Sequence, residues 1–214
     1  MENIKKVLYS GSQREITEKK SRFIATIAPV KTEEEAIEVI ASIKKKCWDA
    51  RHNCFAYVIG NELQRFSDDG EPSGTAGKPM LDILVSKNIH DVCVVVTRYF
   101  GGVLLGTGGL VRAYQKAVNQ SLSTCVLLEP LEGELLNIKS DYNSAGKIKH
   151  IMDSLEIFGK NVEYTEEVKI EAVVTIEKKD MFLEKIKEAT GGKIVVTSNG
   201  LIEFTIYESK LILF

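Results

Sequence analysis

The sequence predicts an α+β protein built as two domains, 1–130 and 131–214, and three observations carry that reading. Strand-like and helix-like stretches alternate along the chain, with no internal repeat or low-complexity tract. One stretch, 91–97 (DVCVVVT), is too continuously apolar for a half-exposed strand and is expected to be buried on both faces. Near Pro130 the character of the chain changes: residues 1–130 hold 17 Lys+Arg against 15 Asp+Glu, the remainder 11 against 15, and the glycine-rich segments lie in the first part.

The first domain opens with strand-like runs, clearest at 21–30 (SRFIATIAPV). A helix with explicit start and stop signals follows. Thr32 is placed to cap it, Glu35 to complete a capping box, and Glu33 and Glu34 to favour its positive end. Ala36, Ile37, Ile40 and Ile43 form one apolar face. Lys44, Lys45 and Lys46 meet the negative end, which explains the lysine trio before any nucleic acid is invoked. Segment 53–59 (NCFAYVI) reads as a strand and 63–66 as its partner across Gly60 and Asn61. Segment 80–85 reads as a short helix with Pro79 tolerated in its first turn. After the buried strand, a glycine loop leads into a helix over 110–122.

The second domain reads as strand 134–139, helix 142–155, strands 160–164 and 168–176, and helix 181–190 ended by Gly191 and Gly192. A strand or hairpin at 193–207, turning at Asn199 and Gly200, completes it. That order is βαββαβ, the ferredoxin-like sandwich, which by itself assigns no activity.

Composition narrows the function classes. The 44% hydrophobic and 27% charged fractions are those of a globular protein with a packed core. A net charge of −2 argues against a generally basic nucleic-acid binder and leaves room for a local basic patch. No apolar run suits a signal peptide or a bilayer span, and the four cysteines lack framework spacing. A cytoplasmic protein with reduced thiols and no membrane partner is expected.

Two loops carry the candidate chemistry. In 67–80 (SDDGEPSGTAGKPM), Gly70, Pro72, Gly74, Gly77 and Pro79 rule out a helix or a central strand. Asp68, Asp69 and Glu71 form a candidate Mg²⁺ site, but Asp-Gly and Glu-Pro are ordinary turn formers, and a solvated turn without cofactor is the simpler expectation. The small residues of 74–79 (GTAGKP) before a helix start leave backbone N–H groups ready for an anion. The second loop, 101–109 (GGVLLGTGG), has the strand–loop–helix setting of a phosphate loop. Thr107 stands where such a loop needs Lys, Gly108 follows it, and the GxGxxG spacing is absent. Weak anion binding at Gly106, Thr107 and Gly108, on the helix N-terminus, is what remains.

Arg98 and Arg112 flank this loop, with Tyr99 and Phe100 beside Arg98, a combination that suits single-stranded nucleic acid. The competing reading pairs the arginines with Asp68, Asp69 or Glu71 and packs Phe100 into the core, which is the expectation for Phe100. His52 and Cys54 alternate along a strand and share a face. A Cys–His nucleophile needs a lowered thiol pKa and a zinc site two further ligands, so a buried structural Cys54 is expected. Arg51 and His52 are then placed to line an anion site. Trp48 is expected at a core edge.

Four stretches together, SRFIA at 21–25, ARHNCFAY at 50–57, SDDGEPSGTAGKPML at 67–81 and VVVTRYFGGVLLGTGGLVRAY at 94–114, closely resemble the YigZ/Impact family. The resemblance implies an N-terminal α+β fold like the second domain of a small-subunit ribosomal protein and domain IV of elongation factor G. It implies a C-terminal ferredoxin-like piece similar to another domain of that factor. Eukaryotic members regulate translation through an additional N-terminal interaction domain on the amino-acid-starvation kinase pathway. This chain opens almost directly on the shared domain, so that role is not expected to carry over. Two functions follow as expectations. One is an RNA- or ribosome-binding accessory factor in translation, using Arg51, His52, Lys78, Arg98 and Arg112. The other is a kinase-like or phosphohydrolase-like enzyme holding a nucleotide or small phosphorylated substrate at the glycine loop, with Asp68 or Asp69 serving a metal or acting as base.

Overall fold

The computed structural model describes residues 4–214, and the chain divides into two compact units, Met1–Glu129 and Pro130–Phe214. In the first unit the chain runs through strands β1 (Lys6–Ser10), β2 (Ser12–Glu18) and β3 (Ser21–Pro29), then helix α1 (Glu33–Lys46). Strands β4 (His52–Ile59) and β5 (Leu63–Ser67) and helix α2 (Gly77–Ser86) come next. Strands β6 (Ile89–His90) and β7 (Val92–Tyr99), helix α3 (Thr107–Leu122) and strand β8 (Val126–Leu128) complete it.

Five of these strands form an antiparallel sheet in the order β2-β3-β7-β4-β5, and β6-β1-β8 form a small second sheet. The apolar run of β7 sits at the centre of the larger sheet because it has two cores to serve. Val92, Val94 and Val96 enter the core shared with Met80 and Leu84 of α2 and Leu110, Tyr114 and Val118 of α3. Cys93 and Val95 point the other way, into a core with Ala36 and Ile40 of α1. Each such aliphatic side chain, fully buried, contributes about 1.5–3 kcal/mol over an exposed one.

α1 forms where its caps dictate. The Thr32 hydroxyl accepts from the Glu35 N–H at 3.2 Å, while the Glu35 carboxylate accepts from the Lys31 N–H at 2.6 Å, one residue upstream of the expected box. Trp48, just beyond this helix, is 82% exposed rather than at a core edge.

The second unit runs β9 (Leu131–Ser140), α4 (Tyr142–Ser154), β10 (Phe158–Tyr164), β11 (Val168–Thr175), α5 (Ile176–Thr190), β12 (Val195–Tyr207) and β13 (Lys210–Leu213). Its antiparallel sheet has the order β10-β11-β9-β12-β13, the ferredoxin-like arrangement with one added edge strand. Ile148 and Met152 of α4 and Phe182 and Ile186 of α5 cover one sheet face over Leu136, Ile138, Ile170, Ala172 and Val174. Two details differ from the sequence expectation. α5 begins at Ile176, five residues early, because IEKKD contains no helix breaker. Asn199 and Gly200 do not turn the chain: Gly200, at φ +101°, lies within a bulge while β12 continues along β9. The hairpin turn is Glu208–Ser209, both at positive φ, joining β12 to β13. No helix among the described residues is long and apolar enough to cross a membrane.

Candidate functional site

The pairing of β4 with β7 sets His52 opposite Arg98, and β3 sets Phe23 on the other side of Arg98. Continuing the row of Val92, Val94 and Val96, Arg98 is carried into the apolar interior, where its side chain is only 6% exposed. The long loop after β5 brings a carboxylate to meet it. Arg98 Nη1 donates to Glu71 Oε1 at 2.7 Å, and the Tyr114 hydroxyl donates to the same oxygen at 2.8 Å. Buried charges persist only when paired and hydrogen-bonded in this way. The Arg98 guanidinium also packs 5.4 Å from the Phe23 ring centroid and 5.6 Å from that of Phe100, while its Nε is buried without a hydrogen-bond partner.

His52 and Cys54 do share a face. His52 Nδ1 lies 2.8 Å from the Asp69 carbonyl oxygen, which can only accept, so Nδ1 carries the proton and Nε2 is turned toward Glu71 Oε1 at 3.9 Å. The Cys54 thiol lies 3.0 Å from the Asp68 carbonyl and 3.3 Å from the Tyr114 hydroxyl. Burial pushes that thiol up to about 12, the opposite of what a nucleophile needs. Burial, together with the nearby Cys54, also raises Tyr114 well above the usual phenol range.

The carboxylates of the loop do not converge on a metal. Asp68 turns inward and accepts from the N–H groups of Gly74 (2.8 Å), Ala76 (3.0 Å) and Gly77 (2.8 Å). The anion site expected at GTAGKP is therefore filled by the chain's own side chain, held at the positive end of α2. For Asp69, burial raises the pKa, but the Lys44 ammonium at 2.7 Å and the Asn53 N–H at 2.7 Å outweigh it and hold the carboxyl below its ordinary range. Glu71 is committed to Arg98 and Tyr114. Among the described residues no cluster of three His, Cys, Asp or Glu side chains is placed to hold a metal ion, so the Mg²⁺ reading of Asp68, Asp69 and Glu71 is replaced by three separate structural roles.

One cavity of about 460 Å³ opens beside this network, lined among others by Arg51, His52, Glu71, Arg98, Phe100 and Thr107. The start of α3 forms part of its lining. Gly106 is the N-cap, with φ +73°, and no side chain caps the helix. The positive φ makes glycine the fitting residue there, and the backbone N–H groups of the first turn are left without an internal acceptor. Phe100 is 41% exposed at the cavity rather than in the core, with the Arg51 guanidinium 5.6 Å from its centroid.

The structure thus gathers Arg51, His52, Arg98, Gly106 and Thr107 around one cavity and leaves Lys78, Gly108, Arg112, Asp68 and Asp69 off its lining. Two expectations about the cations need correction. Arg98 is no surface cation, because Glu71 neutralises it in the interior. Lys78 pairs with Asp82 one helical turn on. Sequence reasoning missed Tyr114, whose signal was a phenol on the apolar face of α3 with Leu110, Ala113, Ala117 and Val118. A buried hydroxyl at that position must find a partner.

Fold and site together define a two-unit α+β protein whose first unit holds a buried carboxylate–guanidinium pair beside a cleft lined in part by the start of α3. The Impact N-terminal domain family matches residues 19–122, and a Domain of unknown function (DUF1949) matches 138–193. The IMPACT family member YvyE of Bacillus subtilis is 44% identical over 185 residues, covering 86% of this chain and 85% of that protein. The IMPACT family member YigZ of Escherichia coli is 50% identical over 108 residues, 49% of this chain and 53% of that one. A solved structure titled as a hypothetical protein superposes with a TM-score of 0.58 at 32% identity, over 89% of this chain and 95% of that one. The chain belongs to the IMPACT family.

Proposed function

We infer that the protein is a cytoplasmic, translation-associated factor that contacts single-stranded RNA or exposed ribosomal RNA through the cleft of its first unit. The observation that carries this reading is the Arg51 guanidinium over the half-exposed Phe100 ring at a cleft bounded by the open start of α3. A base stacks on such a ring while phosphate meets the guanidinium and the helix end. Membership of the IMPACT family, whose resemblance implies translation-factor-like domains, supports the setting.

Electrostatics limits the contact to a short one. Arg98 is paired with Glu71, Lys78 with Asp82 and Lys44 with Asp69, whereas Arg51 enters no ion pair among the described residues and, with the open start of α3, leaves places for about two phosphates. With roughly two phosphates neutralised, the slope of log affinity against log salt is about −1.4 for a single strand, or about a sevenfold loss from 50 to 200 mM salt. Fluorescence anisotropy with short unstructured RNA tests this directly. Phe100→Ala is expected to weaken binding at least fivefold, from a stacking contribution of about 1–3 kcal/mol, and Arg51→Glu to weaken it and flatten the slope. Absence of binding at 20 mM salt, or binding indifferent to both substitutions, rejects the reading.

A further inference from the structure

The second unit leaves one long strand of its sheet unguarded. β10 stands at the edge of the order β10-β11-β9-β12-β13 and pairs with β11 alone, so its outer backbone N–H and C=O groups face no partner strand among the described residues. The other edges are blunted. β6, β8 and β13 have two, three and four residues, while β2 and β5 expose the charges of Arg14, Glu15 and Arg65. β10 runs for seven residues, with Val162 42% and Tyr164 65% exposed.

Pairing with β11 assigns the two faces of β10. Gly159, Val162 and Tyr164 lie opposite Ala172, Ile170 and Val168, on the face covered by α4 and α5. Asn161 and Glu163 lie opposite Glu171 and Lys169, on the open face. Lys160 is the extra residue of a bulge between Gly159 and Asn161, and its ammonium sits 3.6 Å from Glu171, which puts it beside Asn161 on the open face. On the helix side a cleft of about 480 Å³ opens between α4 and β10, lined among others by Tyr142, Gly146, Lys149, Val162 and Tyr164. The Tyr142 and Tyr164 rings stack there with centroids 6.3 Å apart.

The strand that fits this edge is β10 itself. Two identical edges joining sheet to sheet are related by a two-fold axis perpendicular to the sheet. That axis keeps each residue on its own face, so it passes through a residue and not between two. An axis at Glu163 sets two carboxylates directly opposite each other, and one at Asn161 sets bulge against bulge. An axis at Val162 does neither. With the bulge counted as one position, it sets Val162 against Val162 of the second copy, Glu163 against Lys160 and Asn161, and Tyr164 against Gly159. Each contact is complementary: aliphatic with aliphatic, acid with base, and an aromatic ring over a glycine that leaves it room. The last two occur twice, once on each side of the axis.

We propose that β10 is the edge at which two copies of this chain pair, their sheets continuing antiparallel across a two-fold axis at Val162. A seven-residue edge is a small interface, short of the about 1,000 Å² of a stable one, so the pairing is weak and concentration-dependent.

The test is sedimentation of the whole chain from about 5 to 500 µM, with hydrogen exchange read on β10 peptides at both ends of the range. A shift from monomer toward dimer is expected, with protection rising in β10 and not in β2, β5 or β13. Val162→Lys sets two ammonium groups at the axis and is expected to leave the chain monomeric throughout. Glu163→Lys and Lys160→Glu each create two like-charge contacts and are each expected to weaken association by at least about tenfold. Mixed one to one, these two variants present only opposite charges to each other, so the mixture is expected to come within about threefold of the parent. Lys160→Glu also loses its own Glu171 partner, which mixing does not restore, so recovery isolates the contact between copies. All three positions are exposed, and melting of the dilute variants checks that each is folded.

A parent that stays monomeric at the top of the range overturns the self-pairing and leaves the edge to an extended segment of a different protein. Dimers indifferent to Val162→Lys and Glu163→Lys overturn the β10 interface. A mixture no better than its components overturns the axis at Val162.

Discussion

Substituting Glu71 by Gln is the perturbation whose outcome the structure fixes most tightly. The amide keeps an oxygen for the Tyr114 hydroxyl and an Arg98 N–H, so what is removed is the charge. Two unit charges about 4 Å apart attract by about 4 kcal/mol at an effective dielectric near 20. Measured losses on removing one partner of a buried pair run at about 3–5 kcal/mol, because the other charge is left stranded. Arg98, at 6% side-chain exposure, is packed against Phe23 and Phe100.

The expected loss is therefore about 3–4 kcal/mol in the first unit alone. At an m value of about 2 kcal/mol/M, that lowers the urea midpoint by about 1.5–2 M. Trp48, the lone tryptophan, is too exposed to report the transition, so the assay is hydrogen exchange over β4 and β7 peptides across a urea series. Replacing both partners, as Glu71→Met with Arg98→Met, is expected to cost less than the single change, since no charge is stranded. A single-variant shift below about 0.5 M, or a double variant worse than the single, refutes the closed ion pair.

Two further perturbations report on the surroundings of the site. Asp68→Ala removes the acceptor for three backbone N–H groups at the start of α2; a loss of about 2 kcal/mol in urea unfolding is expected, and one under 0.5 kcal/mol contradicts the capping role. Burial pushes the thiols of Cys54 and Cys93 up to about 12, against about 8.5 in an unfolded chain. The unfolded state then releases its protons first, so this contribution is constant below about pH 8.5 and falls as pH rises toward 12, by about 1.4 kcal/mol per unit for each thiol. Urea midpoints between pH 8 and 10 should drop in the parent and flatten in a Cys54→Ala, Cys93→Ala double variant; equal slopes refute the attribution to these thiols.

What was legible in the sequence was whatever depends on neighbours in the chain. The caps of α1 and the two-sided burial of β7 are written in residues within one turn or one strand of each other. The ferredoxin-like order of the second unit follows from elements that are individually periodic. The roles of the acidic loop were hidden because each depends on closure over a distance. Asp68 reaches amides six to nine residues ahead, and Tyr114 meets Glu71 across 43 residues.

Charge patterns in a sequence show how many cations exist, but their value as a binding surface depends on which are already neutralised. Arg98 read as a surface cation with an acidic partner as the alternative, and the alternative holds because residue 98 falls in step with Val92, Val94 and Val96. Trp48 and Phe100 mislead for another reason: large apolar residues are enriched in cores, but their type does not oblige them to be there.

The central strand β7 has a meaning for how this protein can change over generations. Its odd and even positions are read into different cores, like two messages interleaved on one tape. A substitution edits one message at one letter. Deleting or inserting a single residue between Val92 and Tyr99 would swap the two from that point on, sending Arg98 toward the α1 side and pulling the glycine loop and α3 out of step with the cleft. Change in this part of the molecule is therefore confined to exchanging letters at constant length, and variation in length is left to turns such as Gly60–Asn61, which neither core reads.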